Sequence, residues 1–185
     1  MPFDIKNIFV IELHQIVLTC KEDGNMFNIG DKVVYPMHGA GVITKIEERT
    51  VNEKTVEYLV VKMMVSNLTI MIPKDNVDMV GLRPVGKKSS LNLVEKVLQC
   101  KEFLPEPVMN WNKRSNMYLE KLKTSNLESI ADVVQTLMNK EKNKKISTGE
   151  RRILNTGKQI LLSELSIICK CEYKDMLEWL EEKTT

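Results

Sequence analysis

Trp111 is one of two tryptophans in the 185-residue chain, and it stands in the run NWNKR at 110–114, beside Lys113 and Arg114. A large apolar ring flanked by cations suits two jobs. It can anchor a hydrophobic core behind a charged surface. It can also meet something flat and anionic, because aromatic side chains bordered by Lys and Arg wedge into base steps or stack on unpaired bases. The local pattern is compatible with both. If Asn110 caps a helix, then Trp111, Tyr118 and Leu122 follow at i, i+7 and i+11 on one face, as a core stripe would. In that helix Trp111 occupies the first turn, where side chains are commonly half exposed. Lys113 and Arg114 share that turn, although the helix dipole disfavours cations there. Phosphates would supply the missing compensation, and Arg151 and Arg152 from another helix would extend the patch.

Other candidate chemistry is thin. Gly81, Gly86 and Lys87 imitate the phosphate-binding loop G-x-x-x-x-G-K-[ST], but the next residue is Lys88, so the magnesium-binding hydroxyl is missing. Pro84 also removes an amide that would cradle phosphate. No nucleotide or other cofactor is expected at this joint. The motifs G-x-S-x-G and H-E-x-x-H are absent, no Cys–His pair has a third partner, and the carboxylates are scattered. The chain is therefore not expected to be an enzyme or to take a small-molecule substrate. Cys20, Cys100, Cys169 and Cys171 form no spaced framework and read as free thiols of a reducing cytosol. Cys169 and Cys171 are expected on different faces of a helix, and with only His14 and His38 in the chain no metal site is expected.

The elements that must position Trp111 fall into two halves. Between 26 and 85 the period is two: KVVY, GAGVITKIEER, VEYLVVKM and LTIMIP are rich in Val, Ile and Tyr, and PMHG, TVNEKT, VSN and KDN separate them as turns. Gly39 and Gly41 are expected to bracket a tight reversal after Pro36. Four or five short strands so closely connected must be antiparallel, in a small barrel or a curled sheet. From about residue 89 the period is 3.6. Leu127, Ile130, Ala131, Val134, Leu137 and Met138 share a face, with Ser125 and Glu128 spaced as a capping box. Ser147 and Glu150 repeat that box ahead of Ile153, Leu154, Gly157, Ile160, Leu161, Leu165 and Ile168. A last stripe of Met176, Leu177 and Leu180 includes Trp179 as a core residue. The expected fold class is α+β: a small antiparallel β-barrel at 26–85, then a compact helical domain of four or five helices at 86–185, joined through 81–90.

Charge follows the same division. Residues 26–85 carry seven Lys/Arg and seven Asp/Glu, a net of 0; residues 86–185 carry eighteen against fourteen, a net of +4. Within the latter, 110–158 carries eleven against five, a net of +6. A basic region beside a neutral one suggests that one half meets a polyanion and the other has a different partner. No stretch approaches the roughly 20 apolar residues of a membrane span. The run IFVIELHQIVL at 8–18 is interrupted by Glu12, His14 and Gln15 and lacks the basic start of a secretory signal, which leaves the cytoplasm. Residues 1–25 lack caps and clear periodicity. KEDGNM can be encoded by a purine run a few bases ahead of the Met26 codon, like a bacterial ribosome-binding site, so 1–25 is expected to be translated leader or a disordered extension.

A resemblance adds to this reading. MFNIGDKVVYPMHGAGVI at 26–43 resembles the opening of the CarD/CdnL family of bacterial transcription regulators. EYLVVK at 57–62, LTIMIP at 68–73, VGLRPV at 80–85, NWNKR at 110–114, LEKL at 119–122, SIADVVQTL at 129–137 and STGERRIL at 147–154 continue it in order, to about residue 182. The resemblance implies a Tudor-like β-barrel that docks on the β subunit of RNA polymerase. It also implies a helical domain that presents a tryptophan and cations to promoter DNA at the upstream edge of the melted bubble. Carried over residue by residue, Trp111 matches the wedge, and Lys113, Arg114 and Arg151 match the phosphate-facing cations. Arg49, Met71 and Pro73 fall on strands matching the polymerase-binding face. Ser115 and Asn116 stand where many members have Tyr and Lys, which removes one expected DNA contact. The rival reading is a Tudor-like interaction module joined to a helical RNA-binding domain.

Overall fold

The computed structural model describes residues 27–51, 54–66, 68–100, 110–143 and 145–184. Among them the chain forms β1 (Lys32–Tyr35), β2 (Gly39–Val51), β3 (Lys54–Met63), β4 (Thr69–Pro73) and β5 (Arg83–Pro84). The helices α1 (Ser89–Gln99), α2 (Trp111–Lys123), α3 (Leu127–Lys142), α4 (Thr148–Cys169) and α5 (Tyr173–Thr184) follow. This is the expected α+β division, strands first and helices after. The segment expected to be a leader, 1–25, lies outside the described residues, and so does Cys20.

Neighbouring strands are antiparallel throughout, in the order β4-β3-β2-β1-β5. The edge strands β4 and β5 do not pair among the described residues, so the Tudor-like β domain is an open sheet. β2 and β3 are longer than the short strands expected, 13 and 10 residues. Thr50 and Thr55 pair across the ladder, which confines the TVNEKT turn to fewer residues than expected. KDN winds into a single 3-10 turn at Lys74–Asn76. Val33, Ile43, Leu59, Val61 and Ile72 fill the core of this domain with Val77 and Leu82. Val34 points the other way and packs with Ala40 against Ile167 of α4. Both valines of KVVY are fully buried because β1 is covered on both faces.

Gly39 and Gly41 do not bracket the reversal; they open β2 just after it. Gly39 takes a left-handed φ of 88°. A Cβ there would overlap the Ser163 hydroxyl of α4, which instead accepts the Ala40 amide at 2.9 Å. The missing side chain lets the strand lie directly on the helix.

α4 is the spine of the molecule. At 22 residues it runs about 33 Å. The helical core packs against it, including the expected stripes of α3 and α4 together with Tyr118, Leu122, Met176, Trp179 and Leu180. From Ile160 to Ile168 every residue of α4 is buried, since helices cover one side and the sheet the other. No described helix is long and apolar enough to cross a membrane. The first expected capping box is displaced by one residue. Asn126, not Ser125, caps α3 by accepting the Ser129 amide at 3.0 Å, while Ser125 is buried with φ 55°. The second box forms as expected between Ser147 and Glu150. Cys169 and Cys171 do not share a helix. α4 ends at Cys169, Lys170 turns left-handed at φ 55°, and Cys171 lies beyond it. Burial pushes the thiol of Cys171 up to about 11, helped by Cys169 and Asp175, so it stays protonated at neutral pH.

The 81–90 joint is a latch. Arg83 of β5 meets Glu164 of α4 in a two-pronged pair, Nη1–Oε1 and Nη2–Oε2 both 2.7 Å, and its Nε donates to the Ser125 carbonyl at 3.0 Å. The Gly86 amide, which in a phosphate loop would face the ligand, donates to Glu164 Oε1 at 2.9 Å. Glu164 is fully buried. Removing one partner of such a pair strands the other, at a cost of roughly 3–5 kcal/mol. Arg83 keeps some solvent access, so the lower end applies. Glu164→Ala is expected to lower Tm by roughly 6–12 °C in a thermal melt. An unchanged Tm would show that the two halves are held together by apolar packing alone.

Candidate nucleic-acid interface

α2 and α4 begin side by side, and the sequence dictates both starts. Asn110, extended at ψ 163°, caps α2 by accepting the Lys113 amide at 3.0 Å. Ser147 and Glu150 cap α4 reciprocally: the Glu150 amide donates to Ser147 Oγ at 3.2 Å, and the Ser147 amide donates to Glu150 Oε2 at 3.0 Å. Trp111 is the first residue of α2. Its stripe partners Tyr118 and Leu122 are buried, but the indole is 40% exposed. It rests against the first turn of α4, where a Cβ on Gly149 would lie 2.6 Å from Cη2 and closer still to Cζ2.

Sequence reading found the indole but missed what steadies it. Glu150 is a buried hub. Its Oε1 accepts Arg114 Nε and Lys140 Nζ, each at 3.1 Å, while its Oε2 serves the cap. Lys140 also donates to the Tyr118 hydroxyl at 3.2 Å, and the Arg114 guanidinium lies 6.0 Å from the Trp111 ring centroid. Two helix N-termini, an arginine and a lysine would repel one another here without a carboxylate between them. The charge balance expected from phosphates is thus supplied, for Arg114, inside the protein. The signal for this was present in the capping-box glutamate, but its second role depends on α2 and α3 packing onto α4.

Burial raises the proton affinity of Glu150, but the Ser147 amide, Lys140 and the Ser147 hydroxyl outweigh it and hold the carboxyl below its ordinary 4.5. A depressed carboxylate stabilises the fold above the unfolded-state value and loses that contribution as pH falls through the folded-state value. Glu150→Gln keeps the shape and removes the charge. Its Tm should fall below wild type at pH 7, and the gap should close on acidification below about pH 4. A gap independent of pH would mean that the charge is not what matters.

Lys113 and Arg151 are exposed on the same end of the molecule, Arg151 with a 3.4 Å ion pair to Glu141 of α3. Arg152 is exposed beside them. Ser115, one of the two departures from the family pattern, spends its hydroxyl on the Asn112 carbonyl at 3.1 Å.

The other expected site residues gather on the sheet. Register places Pro73, Tyr58 and Glu47 in one cross-strand row and Met71, Val60 and Lys45 in the next; Arg49 follows two residues beyond Glu47. Alternation therefore puts Arg49, Met71 and Pro73 on one face, opposite the core row of Ile46, Leu59 and Ile72. Arg49 is exposed and pairs with Glu47 at 3.3 Å; Met71 and Pro73 are half-buried. From the contact with α4 at Ala40, Arg49 lies about 30 Å away along β2. Glu150 lies about 20 Å from Ser163 along α4 in the helical domain. The two surfaces lie on different domains, which the latch joins.

Two family models match the chain. Residues 27–86 match the CarD-like/TRCF RID domain, and residues 94–181 match the CarD C-terminal domain. A protein with these two modules in this order is a transcription regulator. The chain is 36% identical over 143 residues, 77% of its own length and 92% of the relative's, to the "Putative transcription factor YdeB" of Bacillus subtilis (strain 168). It belongs to the CarD/CdnL family.

Proposed function

We propose that the β domain binds the β subunit of RNA polymerase through the face carrying Arg49, Met71 and Pro73, and that the helical domain stabilises the open promoter complex. Docking on polymerase tethers the helical domain beside promoter DNA, so modest DNA contacts act at high effective concentration. Trp111 enters the minor groove at the upstream edge of the bubble. Unstacking a base step costs a few kcal/mol, and less where the duplex is already opening. The indole therefore binds the open complex better than the closed one, and only such differential binding shifts that equilibrium. Lys113 and Arg151 face phosphates and confer position rather than sequence preference. Arg114 adds its charge from beneath the ring.

The observation that carries this reading is the half-exposed indole of Trp111 on a supported seat, where a core tryptophan would be covered. The experiment is a binding assay with purified polymerase after nuclease treatment, followed by transcription from a ribosomal RNA promoter. The expected results are capture through the β subunit and a longer-lived open complex. Capture that disappears with nuclease treatment would favour the RNA-binding alternative instead.

A further inference from the structure

We infer that Gly149 is the positioning residue for Trp111: its lack of a side chain creates the seat that fixes the indole at the mouth of α2 and α4. This inference rests on the wedge reading above and adds a residue to it. Three observations meet at one place. The ring lies over the second residue of α4, so close that any Cβ would collide with Cη2 and Cζ2. The same stretch of α4 supplies Glu150, which ties α2 down through Arg114, and Arg114 in turn lies within cation–π range of the ring. Glycine is also a poor choice for a helix on propensity alone, so a packing reason is called for. The indole provides it.

The consequence is mechanical. A tryptophan at a helix start can adopt several rotamers. Here the glycine seat and the Arg114–Glu150 tie select one, with part of the ring against α4 and part in solvent. A side chain at 149 would push the ring off this seat, since the three nearest atoms that the added Cβ meets beyond its own helix turn all belong to Trp111. Gly149 therefore governs the direction of the ring, and its effect on that direction must vanish when the ring is absent.

The test is a double-mutant cycle of Gly149→Ala and Trp111→Ala. Acrylamide quenching reports Trp111 selectively, because Trp179 is buried in the helical core. Gly149→Ala is expected to change the quenchable fraction while leaving polymerase binding at the wild-type level. It should also shorten open-complex lifetime most of the way to that of Trp111→Ala. In the Trp111→Ala background, Gly149→Ala should have no further effect on lifetime and should leave Tm equal or higher, since the collision partner is gone and alanine favours the helix. Wild-type quenching and lifetime in Gly149→Ala, or an equal lifetime loss in both backgrounds, would overturn the inference. Failure of Trp111→Ala itself to change lifetime would overturn the wedge reading, and quenching would still report whether Gly149 seats the ring.

Discussion

Trp111→Ala is expected to return the lifetime of the open promoter complex to nearly that seen without the protein. Losing an aromatic that stacks on a base removes about 1–3 kcal/mol, so the lifetime gained from the protein should shrink by roughly 5- to 150-fold where it is large enough to measure. Two other quantities should hold. Polymerase affinity should match wild type, because the ring lies on α2 of the helical domain and not on the sheet face. The fold should also persist, because the indole is 40% exposed and its loss opens no enclosed cavity. Kinetics of dissociation on competitor challenge read the first quantity, and thermal melting reads the last. A variant with wild-type lifetimes would remove the wedge role even if DNA binding fell.

Arg49→Glu should act on the other surface. Arg49 now pairs with Glu47, which also pairs with Lys45, so the face carries a short alternation of charge. Reversal would place a third carboxylate beside Glu47 and Glu48 on an exposed strand, with little effect on the fold. Across an interface it would bring like charge where opposite charge is needed, costing about 2 kcal/mol or more, or roughly a 30-fold loss of polymerase affinity. Open-complex stabilisation should then be recovered only at correspondingly higher protein concentration. That concentration shift distinguishes it from Trp111→Ala, whose defect no excess of protein repairs. Wild-type affinity in Arg49→Glu would mean that polymerase meets a different face of the sheet.

Much of this architecture was legible in the residues because local pattern reports which face of an element is covered. The strands carrying LTIMIP and VEYLVVKM, the stripes of α3 and α4 and the Ser147–Glu150 box each appear where expected, although Leu59, Val60 and Val61 are all buried where period two puts alternate residues out. What pattern does not report is the partner. Ser125 was spaced correctly for a cap, but its carbonyl is taken by Arg83 and its backbone turns left-handed, so the helix begins one residue later. The pairing of Arg83 with Glu164 has no local signature because the two stand 81 positions apart in the sequence. The seat of Trp111 was invisible for the same reason: Gly149 is unremarked in its own helix and gains meaning only when α2 is laid across it. Resemblance named the tryptophan and cations; the packing adds that Arg114 is shared between the surface and Glu150.

The most direct measurement compares the affinity of the protein for polymerase held on two promoters, one fully duplex and kept closed, the other mismatched through the bubble and already open. The wild-type protein should bind the pre-opened assembly more tightly, and Trp111→Ala should bind both alike. Equal wild-type affinity for the two assemblies would contradict the claim that the indole favours separated strands.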